Sequence, residues 1–287
     1  MDTSKDLDEH TMADAWAYIQ GQADAGVPLR PNAYRLAFAD PEFLLRRETR
    51  GVRLQLELLK PDLDQIEMGI EHTIVVFGSA RFSTLEDAQR KVEEAGTSGD
   101  TNAMVLARRD MRNAHFYEQA RHFGRIVATH STALPKNERM YICTGGGPGI
   151  MEAANRGASE AGAPTLGLNI ALPHEQHANP YVTPELSFKF HYFAVRKMHF
   201  MMRAKAMVAF PGGFGTLDEL FEVITLVQTK KAHPVPIILF GTDYWKRLLN
   251  FEVLVEEGAI SPEDLGLFRY TDDPHAAWAF IRTFYNL

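Results

Sequence analysis

The sequence lacks the features that a disulfide-stabilised, membrane-spanning or nucleic-acid-coating protein needs. Its one cysteine, Cys143, cannot form an intramolecular disulfide, so the cysteine content gives no sign of an oxidising compartment. No apolar run approaches the roughly 20 residues that span a bilayer. The formal net charge of −7 disfavours general affinity for DNA or RNA, which requires a surplus of Lys and Arg. We therefore expect a cytoplasmic protein that has neither nucleic acid nor membrane as a partner.

The remaining composition is that of an ordinary globular protein. Hydrophobic residues make up 45% of the chain and charged residues 23%, which shows no bias towards disorder or repeats. Residues 1–10 are acidic and polar, whereas a secretory signal begins basic and continues apolar. Cys143 stands in an apolar stretch without the motif of an activated thiol, so we interpret it as a core residue.

From about Thr73 onward, short runs rich in β-branched residues alternate with longer helical patterns. The predicted strands cover residues 73–77, 140–144, 165–170, 206–210 and 236–240. The predicted helices cover residues 112–131, 149–161, 193–204, 216–229, 242–257 and 274–284. This alternation is typical of an α/β fold, a Rossmann-like doubly wound parallel sheet with helices on both faces. Such sheets bind ligands at the carboxyl ends of their strands.

The pattern differs before Thr73 and again after the first strand. Residues 12–25 and 41–59 have helical patterns, and no strand is evident there. We predict a helical N-terminal extension over residues 1–70 and a nucleotide-binding catalytic domain over residues 71–287. Residues 91–111 are charged and rich in turn-forming residues, which predicts an inserted surface loop or short helix.

Glycine-bearing turns follow the first two of these strands. The first turn offers a small residue, a hydroxyl and a cation in Gly78, Ser79 and Arg81, a set suited to a phosphate or a sugar edge. The second contains Gly145–Gly147, Pro148 and Gly149. Its glycines allow a ligand to approach the backbone, and its exposed N–H groups would attract an anion.

A third turn, Pro211-Gly-Gly-Phe-Gly-Thr216, also leads from a predicted strand into a predicted helix. Backbone N–H groups at Gly213, Gly215 and Thr216, together with the helix dipole, can hold a phosphate without a basic side chain. The alternative is a capping box, in which Thr216 and Glu219 satisfy the first N–H groups of the helix and have no further function. That alternative leaves the three glycines unexplained.

Other known nucleotide-binding motifs are absent. No glycine turn has the Lys-Ser/Thr ending of a Walker A loop, and none has G-x-G-x-x-G followed by the acidic residue that holds a dinucleotide. The spacing of His174 and His177 does not match a metal site. We expect no metal ion and no cofactor.

Two basic residues, Arg196 and Lys197, stand on the predicted helix that leads to the third glycine turn. We expect one of them to face the ligand and the other to face solvent. The alternative is that both belong to a solvated helix face.

These motifs together resemble the LONELY GUY family, often mislabelled as lysine decarboxylases. The family's hallmark is P-G-G-x-G-T-x-x-E, which residues 211–219 match completely, and residues 145–154 and the Arg196-Lys197 pair add to the resemblance. It extends from about residue 73 to about residue 244. It implies a phosphoribohydrolase that converts a nucleoside 5′-monophosphate and water to a free base and ribose 5-phosphate. It also implies a homodimer or a larger homo-oligomer.

The resemblance further implies the roles of individual residues. Arg196 and Glu219 correspond to the family's catalytic couple. The glycine turns and the resemblance together assign substrate contacts to Gly78, Ser79, Gly145, Gly146, Gly147, Glu175, Lys197, Gly212, Gly213, Phe214, Gly215, Thr216, Leu217, Asp218 and Thr225.

The chain also departs from the short members of the family, which lack both the extension and the 91–111 segment and often have Met-His-x-Arg-Lys before the basic pair. The preferred base, whether cytokinin, adenine or another, therefore stays open. One alternative function is a non-catalytic carrier or sensor of a nucleotide or of molybdenum cofactor. The other is an amino-acid decarboxylase, which would need a lysine bound to pyridoxal phosphate; Lys197 and Lys205 are the lysines close to the motifs.

Overall fold

The computed structural model describes residues 17, 21, 24–26, 36–172 and 177–287. The predicted helix over residues 12–25 lies largely outside this part of the chain. Two compact units, Met1–Glu57 and Leu58–Leu287, are present. The division of the chain into a helical extension over residues 1–70 and a catalytic domain over residues 71–287 stays a prediction.

Within the first unit, a short helix, α1 (Pro41–Leu44), begins directly after Asp40. The Asp40 carboxylate accepts hydrogen bonds from the amides of Glu42 and Phe43, at 3.1 and 3.3 Å, which satisfies two N–H groups of the first turn. A longer helix, α2, runs from Arg50 to Glu67, and its residues from Leu58 onward are counted with the second unit.

The second unit contains a parallel sheet whose strand order is β4-β3-β2-β1-β5-β6-β7 among the described residues. The strands are β1 His72–Phe77, β2 Met140–Thr144, β3 Leu166–Ile170, β4 Ser187–Phe190, β5 Ala204–Ala209, β6 Ile237–Phe240 and β7 Phe268–Thr271. The helices are α3 Leu85–Ser98, α4 Thr101–Ser131, α5 Ile150–Glu160, α6 Phe193–Met202, α7 Phe214–Gln228, α8 Thr242–Leu248, α9 Glu252–Glu256 and α10 Pro274–Tyr285. The predicted α/β fold class is confirmed.

The central strands are covered on both faces. Successive residues of a strand point to opposite faces of the sheet, and Ile74, Val75 and Val76 of β1 are all at most 3% exposed. Helix α4 contributes Phe123, which is fully buried in the same core. No helix in the part of the chain that the structure describes has the length and apolarity needed to cross a membrane.

The order of the strands places two of the glycine turns side by side. Strands β2, β3 and β4 follow one another on one side of β1. Strand β5 then pairs with the other side of β1. The amide of Phe210 donates to the Phe77 carbonyl at 2.8 Å, and the amide of Ser79 donates to the Pro211 carbonyl at 2.9 Å. These bonds bring the loops after β1 and β5 together at the point where the strand order reverses, which is where open α/β sheets form a ligand crevice.

The structure corrects several predictions of local structure. Residues 91–111 do not form a loop or one short helix: they belong to α3 and to the 31-residue α4, which are joined through Gly99 at a φ of 66°. The predicted helix over residues 242–257 is divided into α8 and α9. The strands β4 and β7, at the two ends of the sheet, were not predicted.

Candidate active site

The third glycine turn forms the N-terminus of α7. Gly213 is the residue that precedes the helix, and Thr216 is already its third residue, with an amide that donates to the Gly213 carbonyl at 3.0 Å. The capping-box alternative is therefore wrong, because Thr216 lies inside the helix. The prediction of a free Thr216 amide is wrong for the same reason.

The remaining amides of this turn stay available for an anion. Phe214 and Gly215 belong to the first turn of α7, whose N–H groups have no carbonyl one turn earlier in the helix. Gly213, Phe214 and Gly215 are all exposed. These amides and the positive end of the helix dipole form the expected phosphate site.

Gly212 holds the turn in shape. A Cβ atom at this position would lie 2.1 Å from the Thr216 hydroxyl oxygen. Only glycine therefore allows the backbone to pass this close to α7. The Tyr244 hydroxyl donates to the Gly212 carbonyl at 2.6 Å. The turn is thus supported from both α7 and α8.

A cavity of about 750 Å³ opens between the loops after β1 and β5. Several residues predicted from the motifs line it, namely Gly78, Ser79, Arg196 and Gly212–Thr216. Further residues line it that were not among the predicted substrate contacts, namely Phe77, Ala80, Arg81, Phe82, Arg109, Asn113, Met151 and Tyr244. Of these, Arg81 carried a signal in the first glycine turn. Arg109 carried none, because residues 91–111 were predicted to form a surface insert. Asn113 carried none either, because the predicted helix over residues 112–131 had no motif.

The second glycine turn makes room for the protein's own side chains. A Cβ atom on Gly145 would lie 2.5 Å from an Arg196 nitrogen, and one on Gly146, which has a φ of 70°, would lie 2.5 Å from the Asn169 amide. The Gly146 amide already donates to the Thr144 hydroxyl at 2.9 Å. Gly145 therefore adjoins Arg196, but Gly145, Gly146 and Gly147, which were predicted to contact the substrate, do not line the cavity.

Arg196 is fixed beside this turn. Its Nε donates to the Leu168 carbonyl at 2.6 Å, and its guanidinium lies 5.0 Å from the centre of the Phe200 ring. Its Nη1 is 4.0 Å from Oε1 of Glu219. Burial lowers the pKa of Arg196 and the Glu219 carboxylate acts against that shift. An arginine stays charged under these conditions.

Glu219 is the most perturbed carboxyl group of the site. Its side chain is 6% exposed, and its two nearest cations, Arg196 and Lys197, lie at 4.0 and 3.9 Å, beyond direct hydrogen bonding. Burial raises the pKa of Glu219 to about 7, against the opposing effect of Lys197 and Arg196. A carboxyl group that titrates near neutrality suits acid–base catalysis.

Lys197 lies among three carboxylates of α7, two of which bind it directly. Its Nζ lies 2.8 Å from Asp218, 2.6 Å from Glu222 and 3.9 Å from Glu219. Burial lowers the pKa of Lys197, but the hydrogen bonds to Asp218 and Glu222 outweigh burial and raise it overall. The side chains of Arg196 and Lys197 are 11% and 17% exposed. The expectation that one of them faces solvent is therefore wrong.

The structure separates the predicted substrate contacts into two groups. Lys197, Leu217, Asp218 and Thr225 line a shallower cavity on the outer side of α7, which Phe214 also borders. The Thr225 hydroxyl donates to the Phe221 carbonyl within the helix, at 2.7 Å. Glu175 lies outside the described residues.

The Cys143 thiol is buried in the core. Burial raises the pKa of the Cys143 thiol to about 12, which leaves it protonated at neutral pH, in agreement with its interpretation as a core residue. No group of three or more His, Cys, Asp or Glu side chains in that part of the chain is placed to hold a metal ion.

The family model described as "Possible lysine decarboxylase" matches residues 151–281, which include Arg196, Lys197 and the third glycine turn. A cytokinin riboside 5′-monophosphate phosphoribohydrolase of Arabidopsis thaliana is 34% identical over 122 residues, 41% of this chain and 55% of that protein. An Oryza sativa subsp. japonica protein named as a probable enzyme of the same kind is 30% identical over 144 residues, 49% and 61% of the two chains. The chain thus spans little more than half the length of these two curated relatives.

Solved structures provide weaker matches. The molybdenum cofactor carrier protein of Chlamydomonas reinhardtii is 17% identical with a TM-score of 0.40, covering 74% of this chain and 97% of that one. The molybdenum cofactor binding protein of Rippkaea orientalis is 15% identical with a TM-score of 0.44, covering 74% and 94%. At these scores the likeness carries no argument about function. The family model and the curated relatives confirm the resemblance that the motifs indicated.

Proposed function

We propose that this relative of the LONELY GUY proteins is a nucleoside 5′-monophosphate phosphoribohydrolase. One observation carries the proposal: a buried carboxyl group with a pKa of about 7, Glu219, stands on the same helix whose first turn offers free amides to a phosphate. Arg196 lies in the same cavity as that turn. A reactive carboxylate and a phosphate site on one rigid helix suit a substrate with a phosphate and a nearby glycosidic carbon.

The glycine turn binds the 5′-phosphate in this proposal. The amides of Gly213, Phe214 and Gly215 donate to phosphate oxygens, and the helix dipole adds to the attraction. Arg81 and Arg109, which line the same cavity, supply positive charge on its other side.

The carboxylate of Glu219 promotes cleavage of the N-glycosidic bond. As the bond between C1′ and the base nitrogen breaks, positive charge develops on the ribose ring, as in glycoside hydrolysis. Glu219 stabilises that charge and accepts a proton from the water that attacks C1′, while the base leaves with the bonding electron pair and takes up a proton. Arg196, held by the Leu168 carbonyl, orients Glu219 and the substrate.

The decarboxylase alternative has weaker support in the geometry. A Schiff-base lysine must be neutral to react, whereas Lys197 is held by Asp218 and Glu222 with a raised pKa. Lys205 lies outside the glycine-turn cavity, with its Nζ 5.0 Å from the centre of the Tyr285 ring.

The test is base release from a panel of nucleoside 5′-monophosphates, including AMP and a cytokinin riboside monophosphate, with the matching nucleosides as controls. Release from monophosphates alone supports the proposal and ranks the bases. A monophosphate that binds without releasing its base over hours would favour the carrier instead.

We also propose that the protein forms a homodimer or a larger homo-oligomer. Apolar side chains are exposed on α6 and α7, with Phe214 90%, Met198 51% and Phe221 38% exposed. Exposed apolar patches mark association surfaces. A monomeric mass by light scattering would contradict this proposal.

A further inference from the structure

A second large cavity lies at the opposite edge of the sheet from the glycine turns. It measures about 760 Å³ and is placed where β1, β5 and β6 begin. Seven basic side chains line it, namely His72, Lys197, Arg203, Lys205, Lys230, Lys231 and His233. Of these, Lys197 alone also belongs to the predicted substrate contacts of the proposed catalytic site.

The positive charge of this cavity is poorly compensated. Within the part of the chain that the structure describes, Lys205, Lys230 and Lys231 form no salt bridge with a carboxylate. The acidic side chains that line the cavity are Glu71 and Glu222, and Glu222 already binds Lys197 at 2.6 Å. A protein with a net charge of −7 thus gathers in one cavity three lysines that form no salt bridge with a carboxylate among the described residues.

Lys230 also adopts a backbone conformation that favours glycine. Its φ is 59°, and it follows the end of α7, where its amide donates to the Val227 carbonyl at 3.1 Å. Helices that end in this way usually have glycine at such a position. The helix dipole explains a cation near the end of α7, but not the convergence of Lys205 and His233 from the starts of neighbouring strands.

We propose that this cavity is a second binding site, for a polyphosphate anion such as pyrophosphate or the phosphate chain of a nucleotide. Lysine ammonium groups bind phosphate as point charges. The apolar part of the lining, which includes Met201, Val235 and Tyr285, offers a surface to a nucleotide base.

The site is connected to the catalytic carboxylate through Lys197, which lines the cavity together with Glu222. In this proposal, an anion in the cavity competes with the carboxylates of Asp218, Glu222 and Glu219 for the Lys197 ammonium, which lies 2.8, 2.6 and 3.9 Å from them. Glu219 then loses a cation that favours its ionised form. Resting on the proposed phosphoribohydrolase function, this predicts that the bound anion inhibits base release at neutral pH.

Titration calorimetry with pyrophosphate and, separately, with ATP tests the binding site in the full-length protein. Lys231→Ala should weaken pyrophosphate binding about tenfold, as expected for one lost charged contact. Lys230→Gly should weaken it to a similar extent while raising the thermal midpoint, because glycine relieves the backbone strain. Those opposite effects separate lost binding from damaged folding. Lys189→Ala, on the exposed face of β4, is the matched control and should bind as the wild type does.

Equal affinities for pyrophosphate and ATP would show that the phosphate chain alone is recognised, and tighter binding of ATP would show that the base contacts the apolar lining. No binding of either ligand at millimolar concentration overturns the proposal. So does binding that Lys230→Gly and Lys231→Ala leave unchanged, since the anion would then lie at the glycine turn of α7. These binding outcomes do not depend on catalysis. An inactive protein that binds pyrophosphate through these lysines would refute the proposed function alone.

Discussion

The guanidinium of Arg196 lies 4.0 Å from the carboxylate of Glu219, while its Nε is bound to the Leu168 carbonyl at 2.6 Å. The arginine is therefore anchored by the backbone of β3 and does not neutralise the glutamate through a close ion pair. The charge of Arg196 still favours the ionised form of Glu219. Glu219 does not itself line the cavity shared by Arg196 and the third glycine turn, so the proposed contact with ribose requires its carboxylate to turn towards that cavity.

Replacement of Glu219 by glutamine should abolish most of the base-releasing activity. The amide keeps the shape of the side chain but neither accepts a proton nor carries negative charge, so we expect kcat to fall by about 10²- to 10⁴-fold. Binding of the monophosphate through the glycine turn should persist in calorimetry.

The matched control is Glu222→Gln, one turn further along α7 and on the same lysine. It should lower kcat much less than Glu219→Gln does. Equal losses in the two variants would remove Glu219 from its catalytic role.

The rate of base release should depend on the ionisation of Glu219. Because burial raises the pKa of this group to about 7, kcat/KM should increase with pH through a limb with its midpoint near 7. Lys197 lowers the pKa of Glu219, so Lys197→Met should move that limb to higher pH. A profile that is flat between about pH 5 and 9 would contradict this assignment.

A methyl group at Gly212 should destabilise the fold, whereas one at Gly213 should not. The Cβ atom of Gly212→Ala would lie 2.1 Å from the Thr216 hydroxyl oxygen, and a forced shift of this kind costs about 1–3 kcal/mol. A Cβ atom on Gly213 meets nothing within 4 Å. Denaturant unfolding of the two variants measures the difference. Equal stabilities would mean that the turn is not held against Thr216.

Removal of the Tyr244 hydroxyl should loosen the phosphate site. The hydroxyl donates to the Gly212 carbonyl at 2.6 Å, so Tyr244→Phe should cost about 1 kcal/mol of stability. It should also raise KM for the monophosphate severalfold, with a smaller effect on kcat. An unchanged KM would show that Tyr244 does not position the turn.

The sequence predicted the buried strands better than the ends of the sheet. Runs such as Thr73–Phe77 have β-branched residues and a glycine at the exit, whereas β4 and β7 are four-residue strands without such a run. Residues 91–111 were misread because Gly96, Thr97 and Ser98 are typical of turns. They stay helical because α3 packs beside α4, with Lys91 and Asp110 in contact at 2.8 Å.

The candidate site shows a similar division. The motifs identified Arg196, Glu219 and the third glycine turn, but spacing alone does not tell whether Thr216 precedes α7 or belongs to it. Sequence also gave no means of placing Arg109 in the cavity, because a contact between α4 and a distant loop depends on tertiary packing.

The most direct test of the proposed phosphoribohydrolase activity is the simultaneous measurement of both products after incubation of the purified protein with AMP. We predict free adenine and ribose 5-phosphate in equal amounts, with release of both slower by about 10²-fold or more from Glu219→Gln under the same conditions. Formation of adenosine and inorganic phosphate, or recovery of intact AMP bound to the protein, would contradict it.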